Sequence, residues 1–525
     1  MTTTYTSTRL SPEADELFET GIASIRAQAG EHRILVGGQW REGSDVSWQE
    51  RNPARLGEVL GSFSAASAAD VTAAVTAARA AQPPWRAVPV SERIQILARA
   101  GGLIEAKAGE FAAALCLEVG KNRVESMGEV DEAIELIRYY SGQAAAGFDI
   151  ELAVPSPDCS NWSVMRPYGV FAVIAPFNFP LALVVGPATA AMLAGNTVVV
   201  KPAPTTSLIA VMFAQVLIDA GLPPGVFNLV TGADAPGAAL VAAPRVDGIV
   251  FTGSYAVGQQ IASRFGSAVG YARPCIIEMG GKNPAIVTAC ADLDAAAEGI
   301  TRSAFGLSGQ KCSACSRVLV DEQVHDGLIE RLVALAAEWT VGDPADIACR
   351  LGPVHTKEAF DRYRRGVREA GRDGKVVAGG ATLRGGDLDG YYVEPAIVTD
   401  LPEDHRLIRD EQFVPLLAVE RATSLQDALR RANAQVYGLT AGLFSGDSQE
   451  IDLFLEQIQA GTIFVNRAAG ATTGGWPGQQ AYPGWKGSGS TNRGGLGPRY
   501  VQQFLREQGR NICGSTRSER GPDGC

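Results

Sequence analysis

Histidine is scarce in this sequence and positive charge is in deficit. The four histidines among 525 residues, His32, His325, His355 and His405, lie far apart, and Cys312-x-x-Cys315 has no second Cys or His pair at zinc spacing. No metal centre is therefore expected. Lys and Arg number 46 against 57 Asp and Glu, leaving a formal charge of −11 with no long basic run. That balance argues against nucleic acid or a membrane surface as the main partner and favours a small molecule. The first ten residues are rich in Thr and Ser, with no basic segment ahead of an apolar one, so no secretory leader is expected. Nine cysteines, an odd number scattered through a large chain, read as a reduced, cytoplasmic protein. Neither a glycine fingerprint of the commonest dinucleotide sites nor a P-loop occurs between a strand and a helix. No internal repeat or low-complexity tract stands out.

What is present is ordinary for a folded protein: 46% apolar and 20% charged residues over a length that suits roughly two to four domains. One stretch imitates a membrane span, because residues 167–200 carry no charge and exceed the length needed to cross a bilayer. Pro176, Pro180, Pro187, Asn178, Asn196 and several glycines break it, which suits strand–loop–helix–strand instead. Before it, residues 67–82 are Ala-rich and periodic and read as a surface helix ending at Pro83-Pro84. Helices dominate up to about residue 147, and 149–165 reads as a polar hairpin or excursion. From there strands at 170–175, 197–201, 226–230 and 248–251 alternate with helices at 181–194, 207–220 and 256–265. This spacing predicts an α/β fold with a doubly wound parallel sheet that binds ligands at the carboxyl ends of its strands. A second α/β block follows from 283 to about 464, with a strand at 317–320, a helix at 325–339 and a strand at 462–465. After Asn466 glycines crowd the chain, and Trp476, Tyr482 and Trp485 favour an ordered loop over a linker. The end, 514–525, is polar and expected to fray.

Four groups in these loops have chemistry to offer. Phe251-Thr-Gly-Ser254, followed by Gly258, sits where a strand meets a helix, so backbone N–H groups and a hydroxyl face a phosphate there or merely form a turn. Cys312 follows Gly309-Gln-Lys311, and a neighbouring ammonium and a helical turn lower a thiol's pKa; Cys315 reads as a buried structural thiol. Glu278 ends an apolar strand, where burial would raise it toward base duty. Asn178 supplies a neutral amide at the end of another strand. Taken singly, each has an ordinary structural role as its alternative. A nucleophile, a base and an oxyanion donor together make a site.

At these residues the sequence resembles the NAD(P)-dependent aldehyde dehydrogenase superfamily. Ala175-Pro-Phe-Asn-Phe-Pro180, Asn196-Thr-Val-Val-Val-Lys-Pro202, Phe251-Thr-Gly-Ser254, Glu278-Met-Gly-Gly-Lys282 and Gly309-Gln-Lys-Cys312 stand in that family's order. So do Tyr391-Tyr-Val-Glu-Pro395, Glu411-Gln-Phe413, Tyr437-Gly-Leu439 and Gly484-Trp-Lys-Gly-Ser-Gly489, over roughly residues 30–510. Within the superfamily, Gly309-Gln-Lys-Cys-Ser-Ala-Cys-Ser-Arg317 and Gly478-Gln-Gln480 look like the 1-pyrroline-5-carboxylate (glutamate γ-semialdehyde) dehydrogenases.

The resemblance implies a Rossmann-type cofactor domain (1–148 and 167–282), a catalytic domain (283–466), a bridging segment (149–166 and 467–513) that joins a sheet between subunits of a homo-oligomer, and a tail (514–525). It implies Cys312 as nucleophile, Glu278 as the base that activates the hydrolytic water, and Asn178 with the Cys312 N–H as oxyanion donors. NAD is the implied cofactor, held by Ala175, Pro176, Phe177, Lys201, Gly237, Gly253, Ser254, Gly280, Glu411 and Phe413. NADP stays open, because Pro204 occupies the place where NAD-selective members often carry a ribose-reading Glu. The implied aldehyde contacts are Phe179, Ser313, Gly474, Gly475 and Tyr482, with glutamate γ-semialdehyde as substrate. Another small aliphatic or aromatic aldehyde is the alternative, and a catalytically silent binding protein the alternative of another class. The stretch 466–474 looks longer than in those enzymes, and Ala481-Tyr-Pro-Gly484 replaces a Pro-Phe-Gly-Gly turn, so the carboxylate anchor is expected to shift.

Overall fold

Runs of β-branched residues buried on both faces set the architecture, since only a sheet covered on each side accommodates them. The computed structural model describes residues 2–27, 29–151, 159–267, 269–385, 388–491 and 493–513; the tail and the middle of the excursion, 152–158, lie outside the described residues. Strands Cys275–Met279, Gly248–Gly253, Val170–Ile174, Thr197–Lys201 and Phe227–Leu229 lie side by side in that order, all parallel, and Ile34–Val36 and Gln39–Arg41 add antiparallel edges. Val173 pairs with Val200 on one side and Val250 on the other. The chain runs from Val170–Ile174 to one side and returns on the opposite side at Gly248–Gly253, so a topological switch point opens between their carboxyl ends. Ligands of doubly wound sheets bind in such a crevice. The uncharged 167–200 stretch is strand, helix Ala182–Leu193 and strand. Among the described residues no helix is long and apolar enough to cross a membrane.

A second sheet has the order Lys375–Ala378, Ala396–Thr399, Leu416–Ala422, Cys315–Asp321, Asn283–Val287, Thr440–Phe444 and Thr462–Val465, parallel except at its first strand. Strand Leu388–Val393 instead pairs with Arg55–Ala65 near the N-terminus, tying distant parts of the chain. The excursion strand Cys159–Pro167 pairs antiparallel with Ile150–Glu151 and, over nine residues, with Leu505–Cys513.

Two expectations are corrected. The helix that Ser67 caps with a capping box extends over Ala68–Ala87 and passes through both prolines. Its last turn is held by Trp85, whose buried indole donates to the Met192 carbonyl at 3.0 Å, and this packing outweighs the missing backbone donors. The cysteines are not all reduced either, because the long antiparallel register sets Cys513 opposite Cys159 and the two form a disulfide.

Below the first sheet, helix Ser207–Asp219 starts at the end of the loop that follows Lys201, and two buried carboxylates fix its N-terminus. Glu118 accepts from the Leu208 and Ile209 N–H groups at 2.6 and 3.0 Å, and Glu50 from Ser207 N–H at 3.3 Å. Burial pushes both carboxyls upward, Glu118 to about 7, and the Glu118 charge raises Glu50 further. A raised folded pKa stabilises the fold below the unfolded carboxyl value, and that stability is lost as pH rises through the folded value. Glu50→Gln, whose amide does not titrate, is expected to flatten the loss of stability with rising pH, measured by chemical denaturation at pH 6 and pH 8.

Candidate active site

Cys312 sits in a tight turn between the short helix Gly306–Gly309 and the strand Cys315–Asp321, closed by a 3.0 Å bond from Ala314 N–H to the Lys311 carbonyl. The approach is strained, since Leu307, Ser308 and Gly309 have φ of +51°, +52° and +68°, and strain of this kind persists only where surroundings over-determine it. Here the Ser308 hydroxyl donates to the Gly352 carbonyl at 2.7 Å, and a Cβ at Gly309 would stand 2.5 Å from the Val414 carbonyl oxygen. At the start of strand Asn283–Val287, which lies beside Cys315–Asp321 in the second sheet, Asn283 clamps the turn. Its amide donates to the Cys312 and Ala314 carbonyls at 2.7 and 3.0 Å, and its oxygen accepts from Thr440 N–H at 3.0 Å.

Glu278 lies on the strand Cys275–Met279, next to the switch point, and receives the Gly495 N–H at 3.3 Å. Burial pushes its carboxyl up to about 7. Asn178 is buried in the loop after strand Val170–Ile174, which lies one strand removed from that of Glu278, and donates to the Gln310 carbonyl at 3.0 Å, two residues before Cys312. Burial first, then the Glu278 and Glu411 charges, pushes the Cys312 thiol up to about 12. This corrects the expected lowering by Lys311, whose ammonium is 2.8 Å from Glu125 and thereby committed to another anion.

Two cavities meet at Cys312. The larger, about 930 Å³, is lined by Asn178 and Cys312 together with Ala175, Pro176, Phe177, Lys201, Gly237, Gly253, Ser254, Gly280, Glu411 and Phe413, so every residue expected around a cofactor shares it. The narrower one, about 120 Å³, is lined by Glu278 and Cys312 together with Phe179, Ser313, Gly474, Gly475 and Tyr482. The amide thus opens on one side of the sulfur and the carboxyl on the other. In the larger cavity the Lys201 ammonium donates to the Pro202 carbonyl at 3.0 Å, and burial lowers it to about 8. Glu411 accepts Gly281 N–H at 2.9 Å while burial raises it to about 7. It lies so close to Gly280 that a Cβ there would meet its carboxylate at 2.1 Å.

A family model described as the aldehyde dehydrogenase family matches residues 40–508. The chain belongs to the aldehyde dehydrogenase family. It is 38% identical over 499 residues to the 1-pyrroline-5-carboxylate dehydrogenase of Bacillus cytotoxicus, covering 94% of this chain and 96% of that one. Among solved structures it resembles the Thermus 1-pyrroline-5-carboxylate dehydrogenase with bound NAD, at TM-score 0.92 and 33% identity over 97% of this chain and 98% of that one. Proline utilization A from Bdellovibrio bacteriovorus gives TM-score 0.91 and 32% identity over 97% of this chain and 53% of that one.

Several residues of this family member's site escaped sequence reading. Asn283 had a usable signal, a carboxamide directly after Gly280-Gly281-Lys282 and at the first position of a fully buried strand. His355 had none; its ring stacks on Phe177 at 4.3 Å and an interplanar angle of 4°, and its Nε2 is 2.6 Å from the Thr205 hydroxyl. Tyr5 and Glu132, which line the narrower cavity, lie far from every motif.

Gly281 packs closely beneath the Cys312 turn, because a Cβ would stand 2.7 Å from the Cys312 carbonyl oxygen and 2.5 Å from the Asn283 amide oxygen. Gly281→Ala is expected to lower kcat by about 10²-fold through displacement of the sulfur. Gly142→Ala, where a Cβ meets nothing within 4 Å, should leave kcat unchanged. The raised thiol predicts that iodoacetamide alkylation of Cys312, followed by mass spectrometry, quickens continuously beyond pH 10. Removing the neighbouring negative charge in Glu278→Gln should move that curve to lower pH.

Proposed function

We propose that this aldehyde dehydrogenase family member oxidises an aldehyde to a carboxylic acid through a cysteine thioester, with NAD as cofactor and glutamate γ-semialdehyde as substrate. The observation that carries this reading is the position of Cys312 at the junction of two cavities, with Asn178 on one side and Glu278 on the other. Its size and donors make the larger cavity fit a dinucleotide: the buried Lys201 ammonium suits ribose hydroxyls, Ser254 and the amino end of helix Tyr255–Ser267 suit a pyrophosphate, and Glu411 suits a second ribose. A nicotinamide dinucleotide bound there supplies the hydride acceptor. The relative solved with NAD supports that cofactor, while Pro204 leaves no carboxylate to repel a 2′-phosphate, so NADP stays open.

In the first half, Cys312 Sγ attacks the carbonyl carbon and loses its proton. A carboxylate near 7 is matched to accept that proton at neutral pH. The carbonyl oxygen becomes an oxyanion facing the Asn178 amide and the Cys312 N–H, donors that matter most as the charge develops. As the oxyanion collapses the C–H bond would break, its hydride passing to the dinucleotide as acceptor and leaving the thioester, while Glu278 returns its first proton to solvent. In the second half Glu278 takes a proton from water, whose oxygen attacks the thioester carbon. The C–S bond breaks and Cys312 leaves as thiolate, regaining a proton.

Substrate identity draws support from Ser313, Gly474 and Gly475, uncharged donors that hold a carboxylate without competing for the Glu278 proton. The anticipated shift of this anchor does not take the loop out of reach. Thr472 donates to the Ser313 carbonyl at 2.6 Å and Arg467 to the Gly474 carbonyl at 2.7 Å, keeping both glycines on the cavity wall. The relatives that act on 1-pyrroline-5-carboxylate by name support the same choice. We further propose a homo-oligomer, with strand Leu505–Cys513, at the edge of its three-stranded sheet, facing a second subunit.

NADH formation is expected with glutamate γ-semialdehyde in preference to propanal, hexanal and benzaldehyde, and is expected to vanish in Cys312→Ala. A higher kcat/KM for propanal would remove the substrate assignment, and no Cys312-dependent turnover of any aldehyde would remove the enzymatic one. Glu278→Gln should accumulate a Cys312 acyl adduct by mass spectrometry and lose about 10²–10⁴-fold in turnover.

A further inference from the structure

One wall of the narrower cavity comes from the far N-terminus. The Tyr5 ring lines it beside Phe179 and Lys311, meeting the Phe179 ring edge-on at 5.6 Å and the Trp476 ring at 6.1 Å, with the Lys311 ammonium 5.8 Å from its centroid. Its hydroxyl donates to the Glu132 carboxyl, which lines the same cavity. The segment does not depend on this ring for its place. Thr3 N–H donates to Asp131, Ser7 N–H to the Thr4 carbonyl at 2.9 Å, and Arg302 to the Thr6 carbonyl at 3.0 Å. Two polar anchors, Asp131 and Arg302, therefore hold the strap to the body and the Ser7–Thr4 bond folds it on itself, while the aromatic ring faces the space next to Cys312.

We propose that Tyr5 is a specificity-determining residue of this site, its ring limiting the room for the aldehyde's carbon chain and its hydroxyl orienting Glu132 on the same wall; this rests on the aldehyde reading above. A packed aromatic wall rejects additional methylenes by steric exclusion. A pocket that gains room for one more methylene shifts preference by about 10–200-fold. Truncating the ring opens space, whereas removing only the hydroxyl keeps the wall and frees Glu132.

The test compares Tyr5→Ala, Tyr5→Leu and Tyr5→Phe with wild type in two ratios. One is kcat/KM for hexanal over propanal. The other is the rate of Cys312 modification by N-hexyl iodoacetamide over iodoacetamide, read by mass spectrometry, which needs no turnover and so stands whichever aldehyde is physiological. Both ratios are expected to rise about tenfold in Tyr5→Ala and by less in Tyr5→Leu, and to stay within twofold of wild type in Tyr5→Phe. Ratios within twofold of wild type in Tyr5→Ala with a wild-type melting profile overturn the proposal. Should Tyr5→Ala fail to fold, unchanged ratios in Tyr5→Leu overturn it equally. Loss of semialdehyde preference in the wild-type enzyme would instead refute the substrate assignment and leave the Tyr5 ratios to be read on their own.

Discussion

Half-burying a thiol and a carboxyl on the walls of one cavity, with the adjacent ammonium committed elsewhere, is the constraint on which the site is built. Exclusion of water disfavours both anions, which is why Cys312 is pushed up to about 12 and Glu278 to about 7. The ion pair with Glu125 takes Lys311 out of play as counterion. At rest the sulfur therefore keeps its proton, a state that resists adventitious alkylation and oxidation. On the proposed mechanism the negative charge appears only as the carbonyl is attacked, where an amide and a backbone N–H await it. Preorganised neutral donors serve this purpose without stabilising the ground state.

Such a site tolerates little movement, and the chain secures it by backbone proximity more than by side-chain bulk. Gly280 lies against Glu411 and Gly281 against the Cys312 carbonyl, so the strand end carrying Glu278, the larger cavity and the Cys312 turn share one patch of backbone. The left-handed residues before Cys312 and the left-handed Phe413, whose φ is +54°, are held in place by the second sheet and its loops. Asn283 connects these parts with a single carboxamide, satisfying two carbonyls of the nucleophile turn and one N–H of the adjoining strand.

The glycine-rich C-terminal loop completes the enclosure. Ser488 donates to the Gly280 carbonyl at 2.8 Å and its own carbonyl accepts from Met279 N–H at 2.8 Å, while Ser490 accepts from Ile277 N–H at 2.8 Å. These bonds sew the loop along the strand that bears Glu278. Tyr482 pairs through its backbone with Gly495, whose N–H reaches the Glu278 carboxyl. The orientation of the Glu278 carboxyl and one wall of the narrower cavity are thus set by one short run of chain.

Much of this was legible in advance. The alternation of apolar runs placed the strands near Val170, Thr197 and Gly248 to within a residue or two, because a strand buried on both faces leaves an unmistakable uninterrupted apolar signature. Cys312, Glu278 and Asn178 were legible because each sits at the end of such a strand or in a glycine-flanked turn. The helix running past Pro83 and Pro84 was not, since the Trp85 contact that holds it lies with residues more than a hundred positions away.

By itself the sequence determined the elements, the reactive groups and the family, all of which are written in local order. Only the tertiary structure decided that Lys311 faces Glu125 and not the thiol, that Cys159 pairs with Cys513, and that Tyr5 walls the cavity. Each of these is an encounter between residues remote along the chain, and its energy depends on distance and on water exclusion. Neither quantity exists until the sheets have packed.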